Sequence, residues 1–174
     1  RLMVFLEQQR GAIETVATKY LTAERLLKYV GLALSRNPKL AECTPMSVLK
    51  CVITASQLGL DPSGTLGSAY LIPFKAECTL IIGYRGLIDL IRRYCDIQVE
   101  ARAVFKGDVF DWSFGTEPKI VHKPGHEWVG HAPSLTHVYA VFTWPDGRKT
   151  FEVMTRKEVD RIRFSSKNGE RPPW

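Results

Sequence analysis

The sequence has no G-x-x-x-x-G-K-[ST] loop to cradle nucleotide phosphates. Gly59, Gly64 and Gly67 lie close together, but no lysine follows them. That argues against an ATP-driven motor or recombinase. No apolar run approaches the roughly 20 residues a membrane helix needs, and no signal peptide stands at the start. Arg1 is not an initiator methionine, so the numbering is expected to begin inside a longer protein. The four cysteines, Cys43, Cys51, Cys78 and Cys95, form no C-x-x-C pair. They read as free, buried thiols of a reducing cytoplasm. Histidines are few and poorly spaced for a metal. His126-Glu127 opens like a zinc-protease helix, but Gly130 stands where the second histidine belongs, and His131 is one residue too late for the same helix face. His122, His126, His131 and His137 have no cysteine or acidic residue clustered with them. A two-metal nuclease needs gathered carboxylates. Asp108, Asp111 and Glu117 come nearest, and solvated loop charges explain them equally well.

What is present is a chain of 174 residues with 45% hydrophobic residues and a net charge of +6. That length and balance suit one soluble domain with its own core, and a basic domain often meets a polyanion. Residues 1–35 read as helical: Ile13, Val16 and Tyr20 keep a helical spacing, as do Leu27, Val30 and Leu34. Thr44-Pro45 reads as a cap followed by proline at the first position of a helix that Gly59 ends. Segments 68–74 and 78–83 read as a hairpin, and 84–94 as a helix with Tyr84, Leu87, Ile88, Ile91 and Tyr94 on its apolar face. Segments 97–105 and 109–114 read as strands around Lys106-Gly107-Asp108, and 122–134 as a loop. A second hairpin spans 135–154 around Pro145-Asp146-Gly147. Thr155 and Glu158 form a capping box that opens the last helix.

Basic side chains recur along this frame. Arg85 and Arg92, with Arg93 beside them, lie opposite the apolar face of the helix from Tyr84. Lys75 sits at a strand end, Lys106 and Lys123 in turns, and Lys157 and Arg161 on one face of the last helix. They make either a solvated face or a row gripping phosphates. Tyr70, Phe74, Tyr84, Phe105 and Trp112 interleave with them, as core residues or as platforms for bases.

Several segments, read in order, resemble the RecT family of phage annealing proteins. They are Thr44-Pro-Met-Ser-Val, Gln57-Leu-Gly-Leu-Asp-Pro62, Leu66-Gly-Ser-Ala-Tyr-Leu-Ile-Pro-Phe-Lys75 and Ile82-Gly-Tyr-Arg-Gly-Leu-Ile-Asp-Leu-Ile-Arg-Arg93. After these come Ala103-Val-Phe with Asp108, Pro118-Lys, His122-Lys-Pro124, Tyr139-Ala-Val-Phe and Phe151-Glu-Val-Met154. The resemblance covers roughly residues 20–174. It implies an α+β fold in which a small antiparallel sheet and hairpins pack with helices to form a narrow basic DNA-binding groove. It implies a non-enzymatic protein that binds single-stranded DNA and anneals complementary strands through a duplex intermediate in phage recombination. No cofactor is required, and Mg²⁺ enters only as a modulator. The expected partners are DNA, a phage exonuclease and further copies of the chain in rings or helical filaments, inside the bacterial cytoplasm. Alternatives are a general single-strand binding module and a metal nuclease using Asp108, Asp111 and His122. The DNA-binding residues so assigned are Lys75, Tyr84, Arg85, Arg92, Arg93, Lys106, Lys123, Lys157 and Arg161. A single domain spans about 4–16 nucleotides, so annealing needs protomers joined head to tail. The segment 1–35 is the expected assembly element, because Leu2, Phe5, Ile13 and Val16 look surplus to one edge helix.

Overall fold

In the computed structural model the chain divides into two compact units, Arg1–Tyr94 and Cys95–Trp174. Residues 1–125 and 134–165 are described. The fold class is α+β, as expected.

Unit 1 is built on two 14-residue helices, α3 (Ala23–Arg36) and α4 (Pro45–Leu58), preceded by the short α1 (Leu2–Gln8) and α2 (Arg10–Thr15). Residues 1–35 are therefore not one continuous helical run. Thr22 caps α3 by accepting from the Arg25 amide at 3.4 Å, which fixes a fresh start after the turn at 16–22. The apolar stripe of α3, Leu26, Leu27, Val30 and Ala33, packs with Val48, Leu49, Val52 and Ala55 of α4. Leu2, Leu6 and Ile13 enter the same core, with Leu6 and Ile13 fully buried, and Phe5 packs against it. Leu2, Phe5 and Ile13, read as surplus to one edge helix, therefore pack into or against the unit's own core, while Val16 is half-buried.

Gly59 ends α4 at φ +60, the left-handed geometry that glycine adopts without strain. Strands β1 (Ala69–Phe74) and β2 (Glu77–Ile82) form the expected hairpin, with Phe74 opposite Glu77. Leu71 and Cys78 reach the helical core. Ser47 on α4 accepts from the Cys78 amide at 3.0 Å, and the Thr44 amide donates to the Ala76 carbonyl at 2.7 Å. The hairpin is thus fastened to the start of α4. Helix α5 (Tyr84–Arg92) follows.

Unit 2 contains an antiparallel sheet in the order β3 (Gln98–Phe105), β6 (Leu135–Thr143), β7 (Lys149–Thr155), and a hairpin of β4 (Val109–Ser113) with β5 (Lys119–Lys123). The β6–β7 hairpin stands as expected. Strand β3 does not pair with β4 across Lys106-Gly107-Asp108. It pairs with β6, from Gln98 opposite Thr143 to Phe105 opposite Leu135. The loop expected over 122–134 begins later, because Lys119–Lys123 is a strand. Phe110 stacks on Tyr139 at 5.6 Å and Phe114 on Phe151 at 5.3 Å, which lays the β4–β5 hairpin on the sheet. Helix α6 (Arg156–Ser165) opens with the expected reciprocal cap: the Thr155 amide donates to Glu158 at 2.8 Å, and the Glu158 amide donates to the Thr155 hydroxyl at 3.3 Å. The readings placed on His126 and His131 and on residues 166–174 lie outside the described residues. Cys43, Cys51 and Cys78 are buried free thiols, whereas Cys95 is only half-buried. Among the described residues no helix is long and apolar enough to cross a membrane.

Candidate nucleic-acid interface

On unit 1 the basic and aromatic residues gather around α5. Two glycines set its position. A Cβ on Gly83 would stand 2.1 Å from the Gly67 carbonyl, and one on Gly86 would stand 2.2 Å from the Ser68 carbonyl. Only glycine lets the helix lie that close to the loop before β1. The close approach expected of these glycines is therefore made to the chain's own backbone. It turns α5 so that its most amphipathic stripe faces outward. Tyr84, Leu87, Ile91 and Tyr94, read as its apolar face, are exposed, Tyr94 at 90%.

The same rotation separates the three arginines. Arg85 is exposed and held lightly: its Nε donates to the Tyr84 hydroxyl at 3.1 Å and its Nη1 to the Leu66 carbonyl at 3.4 Å. Tyr84 is 68% exposed, so it serves no core, and its ring lies 5.8 Å from the Arg85 guanidinium. Together they present a cation and an aromatic plane side by side. Arg92 is exposed on the same helix. Arg93 turns inward. It donates to the Leu58 carbonyl, to the Gly59 carbonyl at 2.9 Å and to Asp89, and its guanidinium lies 4.2 Å over the Tyr20 ring. Its side chain is 13% exposed. Arg93 thus satisfies the last carbonyls of α4, a helix-end role, instead of joining Arg85 and Arg92 in one exposed row.

Lys75 occupies the first position of the two-residue turn between β1 and β2, at φ +56, where a side chain is strained. The turn lies at the opposite end of the hairpin from Tyr84 and Arg85, about 20 Å away along six strand residues.

On unit 2, Lys106 and Lys123 are exposed and flank one polar knot. The buried Asp108 carboxylate accepts from the Phe105 amide at 2.9 Å, the Gly125 amide at 2.9 Å and His122 at 3.1 Å. The other His122 nitrogen meets the Tyr139 hydroxyl at 3.1 Å. The knot explains why Asp108 and His122 stand together, since both Asp108 oxygens are engaged in fastening the two basic turns. Asp111 is exposed and pairs in register with Val121, while Phe110 faces His122, so the three residues weighed for a metal nuclease do not converge. Among the described residues no three His, Cys, Asp or Glu side chains gather as a metal site. Lys157 and Arg161 are exposed on α6, one turn apart. Tyr70, Phe74 and Trp112 are partly or largely exposed, and Phe105 is half-buried.

Sequence reasoning missed Tyr20 and Tyr94 as partners of this surface. Tyr94 lies two residues past the end of α5 and is 90% exposed, which helical periodicity does not report.

A family model described as the RecT family matches residues 24–174. This chain belongs to the RecT family. It is also 43% identical over 165 residues to the protein named Protein RecT of Escherichia coli strain K12, across 90% of this chain. The chain spans about 60% of that relative's length. The RecT match takes in every residue assigned above to DNA, from Lys75 to Arg161.

Proposed function

We propose that this chain binds single-stranded DNA through its phosphates and anneals it to a complementary strand without ATP. Membership of the RecT family carries the reading, and the paired display of Arg85 and Tyr84 on α5 supports it chemically. Two strands repel through their phosphates. Exposed cations in a narrow basic groove relieve that repulsion and require no hydrolysis. Lys75, Arg85, Arg92, Lys106, Lys123, Lys157 and Arg161 contact phosphates, and Tyr84 stacks on a base. Gripping backbones leaves base edges free, so the complementary strand reads the sequence.

The same reading makes the protein a non-enzymatic member of a phage recombination pathway in the bacterial cytoplasm. An exonuclease supplies the strands, and protomers assemble into rings or helical filaments on the annealed intermediate. No cofactor is needed, though Mg²⁺ modulates the rate. A fluorescence annealing assay tests this with two complementary labelled oligonucleotides in the absence of nucleotide. Accelerated duplex formation, with both strands intact in Mg²⁺, is expected. Binding without acceleration would reduce the chain to a general single-strand coat, and strand cleavage would make it a nuclease.

A further inference from the structure

A pocket of about 230 Å³ opens on unit 1, lined by Thr18, Tyr20, Gln57, Leu90, Arg93 and Tyr94. It is smaller than the roughly 300–1,000 Å³ of a site for a drug-sized molecule, so it suits one ring system. Its walls are aromatic and cationic. Arg93 is held by the α4 carbonyls and Asp89, and its guanidinium lies 4.2 Å from the centre of the Tyr20 ring. Tyr94 stands almost fully in water. A second recess of about 280 Å³ shares Tyr20 and Arg93 and adds Arg25 and Tyr29, joined by a 3.1 Å hydrogen bond. The Tyr20–Arg93 stack is thus a partition common to two recesses.

An independent observation points to a ligand. Two sealed polar atoms, Thr18 Oγ1 and Arg93 Nε, have no hydrogen-bond partner, and both belong to residues lining the smaller pocket. A buried donor without a partner destabilises the fold that holds it. Both atoms are sealed from solvent. Arg93 is held fixed, so only the Thr18 hydroxyl, by turning about χ1, can reach a group in the pocket. A phosphate fits poorly, because the Arg93 Nη groups are already committed to carbonyls and Asp89. A flat heteroaromatic ring fits better: it stacks on tyrosine and guanidinium, and an acceptor on its edge meets the Thr18 hydroxyl once that side chain turns.

We propose that this pocket holds one nucleobase of the bound strand, drawn out of its stack and placed against Tyr20, Arg93 and Tyr94. The inference rests on the single-strand reading above and deepens it. Arg93 then acts on a base, where Arg85 and Arg92 act on phosphates. A base so held is withheld from pairing until an incoming complement competes for it.

The experiment compares binding of the chain to a thymine oligonucleotide with its binding to an abasic oligonucleotide of equal length. The wild type should prefer the thymine strand, and Tyr94→Ala should shrink that preference about tenfold while leaving abasic binding unchanged. Thr18→Val keeps the shape and removes the unpaired hydroxyl, so it should raise Tm yet weaken thymine binding about threefold. If neither substitution narrows the gap between the two strands, the pocket is a structural recess and the proposal falls. If the wild type binds neither oligonucleotide, it is the single-strand reading that falls. Irradiating bound strands that carry 5-iododeoxyuridine gives an independent readout: cross-links at Tyr20 or Tyr94 are expected, and cross-links confined to other residues would overturn the proposal.

Discussion

Unit 1 and unit 2 are held together by different physics. In unit 1, Leu6, Ile13, Leu26, Val30, Val48, Val52 and their neighbours form a continuous apolar core between helices and a hairpin. In unit 2 the buried hydrophobics among the described residues are Ile97, Val104, Phe151 and Val153, and the rest of the cohesion comes from stacked rings and the Asp108–His122–Tyr139 knot. An apolar core tolerates the loss of one group as a cavity of graded cost. A buried carboxylate with three donors does not, because each abandoned donor is left unpaired in a dry site. Unit 1 should therefore yield gradually to substitution, and unit 2 abruptly at one residue. The sequence supplies separate probes for the two. All four tryptophans lie after residue 94, and α1 to α5 lie before it. Tryptophan emission follows unit 2, and helical circular dichroism follows chiefly unit 1.

The largest expected effect comes from removing residues 1–20. That takes Leu2, Leu6 and Ile13 out of the core at once, at about 2–5 kcal/mol for each large side chain. Helical signal should collapse. If tryptophan emission survives, the comparison of two separate cores is sharpened; if both signals vanish together, it breaks. A truncated protein that keeps its helical signal and loses only oligomers would restore the assembly role first expected of this segment.

Asp108→Ala comes next, at about 1–3 kcal/mol for each donor left unpaired in a dry site. Urea titration should show lower tryptophan-detected stability with the helical transition little moved. A loss under about 1 kcal/mol would mean that the knot does not organise unit 2.

Arg85→Ala and Arg92→Ala probe the surface contrast. Each should weaken binding evenly across DNA sequences and flatten the log K against log salt slope by about one unit. Arg93→Ala should in addition lower the helical Tm, which the other two should not, because it uncovers the carbonyls of Leu58 and Gly59. Equal behaviour of all three arginines would erase the distinction between exposed and inward side chains. Tyr84→Leu should cost DNA affinity without moving Tm, since its ring supports no core.

A smaller effect belongs to α6. Thr155→Ala removes its cap at about 1 kcal/mol. The Thr155 amide, and then its hydroxyl, hold the Glu158 carboxyl below the usual carboxylate range. The lowered value means that the cap stabilises above the unfolded pKa of about 4.3 and is lost as pH falls through the folded one. Acid titration of the wild type should fray α6 in that window, and the Thr155→Ala protein, which keeps the amide but loses the hydroxyl, should show a smaller step.

Much of this was legible in the sequence, and the failures share a cause. Caps and turns are local, so the helix start at Thr44-Pro45, Gly59, the 75–76 turn and the Thr155–Glu158 box could be read directly, although the Thr44 hydroxyl donates to Glu77 and caps no amide. The partner of β3 was not local: Asp108 turns its side chain back to the Phe105 amide and ties off the end of the strand, which leaves β3 to β6. Strand β5 is five residues between prolines 118 and 124, so its flanks read as loop. The period of α5 showed an apolar stripe correctly but not which way it faced. Gly83 and Gly86 decide that, by admitting a neighbouring backbone that the sequence does not name. Spacing likewise put Arg85, Arg92 and Arg93 together, and only the burial of Arg93 divides them.

The smallest expected effect is the most informative about why a cation stands where it does. Lys75 is the one non-glycine residue at positive φ among the described residues, at the tip of the β1–β2 hairpin. Glycine would take that geometry without strain, and the turn is already fastened through Ala76 to Thr44. Stability alone therefore favours glycine there, by up to about 1 kcal/mol, offset in part by the greater freedom glycine has when unfolded. Strain of this kind is held where a side chain serves something other than the fold. Lys75→Gly should leave the helical Tm unchanged or slightly higher and should weaken binding to single-stranded DNA with a flatter salt slope. Lys75→Arg should keep both the strain and the binding. If Lys75→Gly binds as tightly as the wild type, the strained lysine is an accident of the turn, and the hairpin tip drops out of the phosphate-gripping surface of unit 1.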